Sequence, residues 1–514
     1  MGKEDLESWE GGSLLIKRAL ISVYDKKNIV DFAKFLKSKN VEIISTSGTA
    51  KLLRENGIDI VEVSSITKFK EILGGRVKTL HPAIMGGILA RRKDQLEELE
   101  ELNIAPIDLV VVNLYPFQDV INRGAGLEEA LENIDIGGVT LIRASAKNFS
   151  DVVIAVDPSD YKLIIEKWAS KGEISLETRK KLAVKAFAIT SNYDAIISNY
   201  LSGEILPEYF LVSGEKALEL RYGENPHQKA SAYKTSEVNV LNAKQIQGKE
   251  LSYNNILDLD GAWSIARSFE KPCASIIKHN IPCGVAVSDS ILDAFNKAWQ
   301  ADPISAYGSI IGLNKPLDKD LAKAIGPYFV ECIICPEIAD SAIDVLKHKK
   351  DLRILVYPEF YKLPKGLEVK GIQGGFLVEE WDLEDVRNFD VVTQTLLDEN
   401  LKEDLIFAFK VVKFVKSNAI IVAKDGKTLG ICGGQPNRVD SVRLAIARAG
   451  KDVEGAVLAS DGFFPFPDSV EEAGKVGIKA IIQPGGSIRD KKTIETADKY
   501  HIAMVFTGIR HFRH

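Results

Sequence analysis

Apolar and polar positions along the chain fall into two periods. "RALISVY" is a short continuous apolar run, the pattern of a buried strand. "DKKNIVDFAKFLKSKN" after it carries Ile29, Phe32, Ala33, Phe35 and Leu36 at helical spacing. The strand and helix pair repeats at once: "VEIIST" leads through Ser47 and Gly48 into the helix "TAKLLRENG", which Gly57 stops, and "IDIVEVS" starts another strand. "DLVVVNLYPF" and "DVVIAVD" read as further buried strands. This alternation predicts an open, mostly parallel α/β sheet up to about residue 200.

Between 200 and 220 the pattern changes to a stretch rich in Gly, Pro, Tyr and turn residues, which marks a domain boundary. Beyond it, the strand-like runs "CASIIKH", "GSIIGLN", "VECIIC", "AIIVAKDG" and "KAIIQPGG" are separated by helical stretches such as "DAFNKAW" and "KTIETADKY". No short-period repeat, low-complexity tract or sustained heptad pattern interrupts them.

The length of 514 residues allows about two to four domains. With 45% hydrophobic and 27% charged residues, a mostly disordered, collagenous or coiled-coil chain is excluded. A formal net charge of −6 without a Lys/Arg block argues against sequence-independent nucleic-acid binding, so anionic ligands must meet local basic groups. The 5 cysteines are too few and too unevenly placed for a disulfide framework. The N-terminus has no apolar h-region and no run reaches membrane-spanning length, so a soluble cytoplasmic protein with no membrane partner is expected.

In open α/β sheets ligands gather at the carboxyl ends of strands. "IISTSGTA" places Thr46, Ser47, Gly48 and Thr49 between strand and helix, where hydroxyls and backbone N–H groups can hold a phosphate; an ordinary N-cap fits the same residues. "GGRVKTLHP" supplies a cation cluster of Arg76, Lys78 and His81, with Thr79 among them. "NLYPF" ends a strand in Asn113 and Tyr115, and "DIGGVTLIRASAKN" offers Asp135, Arg143 and Lys147. Together they point to a phosphorylated anionic substrate.

In the second half, "SIIKHNIPCG" ends a buried strand in adjacent Lys278 and His279, followed by a Pro-Cys-Gly turn. An imidazole beside an ammonium suits general-base work and the stabilisation of developing negative charge. The P-C-x-x-C and H-x-E signature of zinc deaminases is incomplete, because Asn280 and Ile281 follow His279 and Ala286 stands where the second cysteine is needed. Cys332 and Cys335 face opposite ways in a strand, so no catalytic metal is expected. "SDGFFPFPDS" sets Phe463, Phe464 and Phe466 beside Asp461, an aromatic wall and a carboxylate suited to a flat heterocycle. "QPGGSIRD" reads as another anion-receiving turn at a helix start. "MVFTGIRHFRH" is a buried strand that runs directly into Arg510, His511, Phe512, Arg513 and His514.

The segments "RVKTLHP", "NLYPF", "NIDIGG", "RYGENPHQKA", "ELSYNNILD", "IIKHNIPCG", "SDGFFPFPDSVEEA", "IIQPGGSIRD" and "MVFTGIRHFRH" occur in this order, and from about residue 18 to the end the chain resembles the bifunctional purine-biosynthesis enzymes that join aminoimidazole carboxamide ribonucleotide (AICAR) transformylase to inosine monophosphate (IMP) cyclohydrolase. The resemblance implies an α/β fold: a methylglyoxal-synthase-like open parallel sheet, followed by a transformylase of two cytidine-deaminase-like α/β halves. The expected domains are a polar leader over 1–17, the cyclohydrolase over 18–205 and the transformylase over 206–514. It also implies a homodimer with shared transformylase sites, the substrates AICAR and formyl-AICAR, and 10-formyltetrahydrofolate as cosubstrate without a metal.

By the same resemblance, Lys278 and His279 form the transformylase catalytic pair. Arg221, Tyr222, Asn255, Asn418, Arg438, Arg510, Phe512 and His514 would hold the nucleotide, and Asp461 with Phe463, Phe464 and Phe466 would face the folate. In the cyclohydrolase, Lys78, Tyr115, Asp135 and Lys147 match the reacting site, while Lys26, Ser47, Gly48, Thr49, Arg76 and Thr79 match phosphate and ribose contacts. The chain departs from the usual family pattern at Tyr24, Ser47, Met85, Tyr307 and Ser309; Tyr24 and Ser47 put side chains into the presumed phosphate loop. A competing reading makes the first 200 residues an effector-sensing module and leaves catalysis to the rest.

Overall fold

The computed structural model describes residues 14–235, 238–364, 366–386 and 388–514; residues 1–13 of the expected leader lie outside them. Two compact units divide the chain, Met1–Ser213 and Gly214–His514.

Unit 1 contains β1 (Arg18–Ser22), α1 (Ile29–Ser38), β2 (Glu42–Ser45), α2 (Ser47–Glu55), β3 (Val61–Glu62), α3 (Pro82–Leu89), β4 (Leu109–Val112), α4 (Gly137–Lys147), β5 (Val153–Ala155), α5 (Pro158–Lys171) and α6 (Leu176–Ser202), with short helices in the remaining connections. Its sheet is wholly parallel, in the order β3-β2-β1-β4-β5. The helical period set the buried face of α1: Ile29, Phe32, Ala33 and Leu36 are buried against the sheet, and Phe35 packs edge-on against Trp168. The expected strand "IDIVEVS" is shorter than its apolar pattern. As an edge strand β3 pairs only with β2, which ends at Ser45 opposite Glu62, so Val63 onward has no ladder partner and enters a short helix.

Unit 2 opens with the hairpin β6 (Glu215–Leu220) and β7 (Ala230–Lys234), then β8 (Lys244–Gln247). Two topologically equivalent halves follow. The first runs α7 (Tyr253–Arg267), β9 (Cys273–Lys278), β10 (Ile281–Val287), α8 (Ile291–Ala301), β11 (Ser309–Leu313), α9 (Lys319–Ile325), β12 (Val330–Cys335), α10 (Asp340–Leu346) and β13 (Arg353–Val356). After the hairpin β14 (Leu367–Ile372) and β15 (Gly375–Glu380) and the short β16 (Asp390–Val391), the second runs α11 (Lys402–Val412), β17 (Ile420–Lys424), β18 (Lys427–Cys432), α12 (Arg438–Ala449), β19 (Val457–Ser460), α13 (Asp468–Lys475), β20 (Ala480–Gln483), α14 (Asp490–Lys499) and β21 (Ala503–Phe506).

The halves meet at the antiparallel β10–β18 pair to form one sheet, β16-β21-β20-β19-β17-β18-β10-β9-β11-β12-β13-β8. One core, with α7 and α11, covers one face; two others, with α8 to α10 and with α12 to α14, cover the opposite face. Cys332 belongs to the first of these cores and Cys335 to the second, as strand alternation requires.

Each half also needs a glycine at the same place. A Cβ at Gly284 would overlap the Ala298 carbonyl of α8, and one at Gly430 the Ala445 carbonyl of α12. The two glycines let helix and sheet backbones close to van der Waals distance.

Candidate active sites

In unit 1 the strand order reverses between β1 and β4, where an open α/β sheet leaves a crevice at its carboxyl edge. Asn113, just past β4, bridges it: its side-chain oxygen accepts from the N–H groups of Tyr24 at 2.6 Å and Asp25 at 3.0 Å. Lys26 Nζ donates to Thr49 Oγ1 at 2.8 Å and to the Val23 carbonyl. Burial, with the nearby Lys78 charge, lowers the Lys26 ammonium below its ordinary value, and Asp25 opposes this. Gly48 lies in the first turn of α2, whose N-cap residue Thr46 makes no side-chain cap bond; the Ser47 side chain lies outside the described residues.

Asp135 sits two residues before α4. Its carboxylate accepts from Gly138 N–H at 2.6 Å and from the Tyr115 N–H. Burial still holds its carboxyl above the ordinary range, against those donors and the Lys78 charge. The structure therefore brings Lys26, Lys78, Tyr115 and Asp135 together, with Thr79 buried beside Gly137 and Tyr24 edge-on to Tyr115 at 5.5 Å. Arg76 at the rim pairs with Glu132, and Lys78 lies 3.7 Å from Glu71.

His81 is not part of the expected cation cluster. Its Nδ1 is turned to the start of α3, where it accepts from Ala83 N–H and caps the helix ahead of Pro82. Lys147 is exposed at the last residue of α4, about 15 Å along the helix from Gly137 at about 1.5 Å per residue.

In unit 2, Lys278 ends β9 and Ile281 begins β10, so His279 and Asn280 alone form the hairpin turn. Both have positive φ, 56° and 58°, the two-residue turn whose twist matches paired strands. The expected Pro-Cys-Gly turn is instead strand. Pro282 pairs with Ile277, and Cys283 is bulged out where the register shifts, because the chain has already reversed at Asn280. Lys278 Nζ donates to the Tyr307 carbonyl at 2.7 Å. Nearby, buried Asn255 donates to Glu331 at 3.0 Å, which also lies 3.6 Å from Arg353.

The second cluster lies on the same edge of the sheet. Arg438, buried at the start of α12, pairs with buried Asp461, donates to Ser460 Oγ at 2.8 Å and to Asn418 Oδ1 at 2.8 Å. Ser417 donates to the other Asp461 oxygen. Asp461 is thus spent on protein partners. Of the three phenylalanines, Phe463 and Phe466 are exposed, but Phe464 is wholly buried in the core over α13. The turn "QPGGS" receives an anion of its own: Asp490 accepts from Gly486 and Ser487 N–H at 2.7 and 3.1 Å.

A family profile described as AICARFT/IMPCHase bienzyme matches residues 145–448, and an MGS-like domain profile matches 28–140. The bifunctional purine biosynthesis protein PurH of Caldicellulosiruptor saccharolyticus is 50% identical over 513 residues, covering 97% of this chain and 100% of that protein. PurH of Bacillus subtilis is 49% identical over 512 residues, covering 98% and 100%. The chain belongs to the AICARFT/IMPCHase bienzyme family. It is a bifunctional enzyme of purine biosynthesis, an AICAR formyltransferase that uses 10-formyltetrahydrofolate and an IMP cyclohydrolase. The crystal structure of ForH is 36% identical over 36% of this chain and 98% of its own, with a TM-score of 0.32.

In this member of the family the C-terminal tail is held against Asp461. His511 N–H donates to the Asp461 carbonyl at 3.0 Å, and its buried ring bonds Asp382 at 2.7 Å and packs on Phe409 at 4.9 Å. Burial would raise the Asp382 carboxyl, but His511 and Lys413 hold it below its ordinary value. Ser417 N–H donates to the Arg513 carbonyl at 2.8 Å. The Phe512 ring packs against the guanidinium groups of Arg510, at 4.4 Å, and Arg438, at 6.0 Å. A Cβ at Gly462 would fall 2.5 Å from Phe512 and 2.6 Å from Arg438, so only glycine allows this approach.

Lys370 donates to the His514 carbonyl, and Arg221 stacks on Tyr222 just past β6. Sequence reasoning missed Asp258, Glu331, Ser417 and the anchoring role of His511. Only His511 had a visible signal, an imidazole within two residues of the assigned tail residues.

Proposed function

We propose that the two activities divide between the units, with the cyclohydrolase in unit 1 and the transformylase in unit 2; the unit boundary at Ser213 falls eight residues past the 205/206 boundary expected from the sequence. The observation that carries this reading is the hairpin turn of unit 2, which presents Lys278 and His279 side by side at a sheet edge. His279 takes the proton of the AICAR 5-amine as its nitrogen attacks the formyl carbon; that amine is a weak nucleophile because its lone pair is delocalised towards the carboxamide. Lys278 stabilises the tetrahedral oxyanion or protonates the departing folate nitrogen. Arg438, Asn418, Asn255, Arg221, Tyr222, Arg510, Phe512 and His514 bind the nucleotide, and Phe463 and Phe466 flank the folate, with Asp461 acting through Arg438.

In unit 1 both reacting groups of formyl-AICAR already share one molecule, so orientation and charge suffice. Lys78 stabilises the oxyanion, Tyr115 and Asp135 orient and move protons, and Lys26, Thr49, Gly48, Ser47, Arg76 and Thr79 take the phosphate and ribose. Lys147 is assigned to this site on the family resemblance alone.

A homodimer with transformylase sites shared between subunits fits the sheet. Lys278 and Asp461 lie on one edge but four strands apart, roughly 19 Å at about 4.8 Å per strand, so neither reaches the other's contacts within a chain. Five unpaired cysteines fit a cytoplasmic enzyme. Among the described residues no helix is long and apolar enough to cross a membrane.

The test uses the full chain. Lys278→Ala and His279→Ala are expected to abolish formyl transfer while cyclisation of supplied formyl-AICAR stays near wild type. Equal loss of both activities in a folded variant overturns the assignment.

A further inference from the structure

In both halves of unit 2 an aspartate on the preceding helix reaches the two-residue turn of the next hairpin. Asp404 in α11 accepts from the N–H groups of Asp425 at 2.9 Å and Gly426 at 2.7 Å. Asp258 in α7 accepts from those of Asn280 and His279. The hairpins match in register: Lys278 pairs with Ile281 as Lys424 pairs with Lys427, and two residues later each β10 or β18 strand bulges, at Cys283 and at Leu429. Asp258 and Asp404, Lys278 and Lys424, and Gly284 and Gly430 are all separated by the same number of residues.

The two turns differ in what they ask of the backbone. Asp425-Gly426, at φ 53° and 68°, is a sequence that such a turn favours unaided. His279-Asn280 puts a bulky non-glycine residue into the left-handed region, where it stays only if its surroundings hold it.

We propose that Asp258 is a positioning residue for formyl transfer: its carboxylate clamps the left-handed His279–Asn280 turn and so aims the His279 imidazole and the Lys278 ammonium at the reacting amine. The clamp engages only backbone N–H groups and makes no demand on the ring nitrogens of His279. Burial raises the Asp258 carboxyl, and the same two N–H groups and the His279 charge oppose that rise, so the bonds that fix the turn also favour the ionised clamp. Asp404 makes the same bonds where no chemistry is assigned, which separates what the clamp does for folding from what it does for catalysis. The inference rests on Lys278 and His279 carrying the transfer.

The experiment compares full-length Asp258→Asn, Asp404→Asn and His279→Ala by steady-state formyl transfer, thermal unfolding and cyclisation of formyl-AICAR. Asp258→Asn is expected to lower kcat for transfer by about tenfold or more, the scale of a misaimed catalytic group. Its KM for AICAR should stay within about threefold, since ground-state binding is untouched. Asp404→Asn should lower Tm by a similar amount yet keep wild-type kcat.

A second variant guards against a folding defect. Asn280→Gly lets the turn hold its shape without the clamp, so in the Asp258→Asn background it should restore a large share of kcat. Wild-type kcat in Asp258→Asn, an equal kcat loss in Asp404→Asn, or no recovery in the double variant overturns the proposal. Full transfer by His279→Ala instead removes the assignment beneath it.

Discussion

Arg438 and Asp461 form a buried ion pair at the carboxyl edge of β19, with side-chain exposures of 5% and 0%. Asn418 and Ser460 accept from further guanidinium N–H groups and Ser417 donates to the second carboxylate oxygen, so the pair is fixed in place at the floor of the proposed nucleotide pocket. Removing one member leaves a buried charge unpaired, which typically costs about 3–5 kcal/mol. Asp461→Ala should therefore destabilise unit 2 by about that amount and lose AICAR binding. Urea unfolding and AICAR titration check this; unchanged stability would show that the pair is dispensable.

Deleting residues 510–514 should weaken AICAR binding by about tenfold or more, since an Arg–phosphate contact in a partly desolvated site is worth about 1.5–3 kcal/mol. Cyclohydrolase activity should persist. Gly462→Ala should reproduce part of the effect, because its Cβ displaces Phe512 from Arg438. If both variants transfer formyl groups with unchanged affinity for AICAR, the tail is only structural.

Lys26 supplies a pH dependence. Its folded-state pKa is lowered, so the half-buried ammonium costs stability at neutral pH, and that cost disappears as pH rises from the lowered value through the ordinary value of 10.5. A bound phosphate favours the charged form, so substrate affinity should fall at a lower pH than for an ordinary lysine. KM for formyl-AICAR, followed from neutral pH upward, should rise on the alkaline side. In Lys26→Arg the rise should move to higher pH, because guanidinium keeps its proton. A rise at the same pH in both proteins counts against phosphate binding by Lys26.

Dialysis against a strong chelator should leave both activities intact. The cysteines weighed against a deaminase-type zinc site are placed otherwise: Cys283 donates to the Ile276 carbonyl, and Cys332 and Cys335 lie in cores on opposite faces of the sheet. Zinc bound stoichiometrically, with activity following its removal, contradicts this.

What the sequence determined by itself was local. Continuous apolar runs specified β1, β4, β11, β12 and β20, because a strand covered on both faces has no polar side to show, and helical spacing picked out the buried residues of α1. Motif order carried the family and, with it, the paired halves. Tertiary structure alone decided which remote segments meet. Arg438 with Asp461, Asp258 with the His279 turn and His511 with Asp382 join residues 22 to 129 positions apart. It also set Phe464 in the core, Lys147 at the far end of α4 and the reversal at Asn280 rather than at Pro-Cys-Gly. Periodicity states which face of an element is buried; strand pairing and helix docking choose its neighbour, and those depend on every element at once.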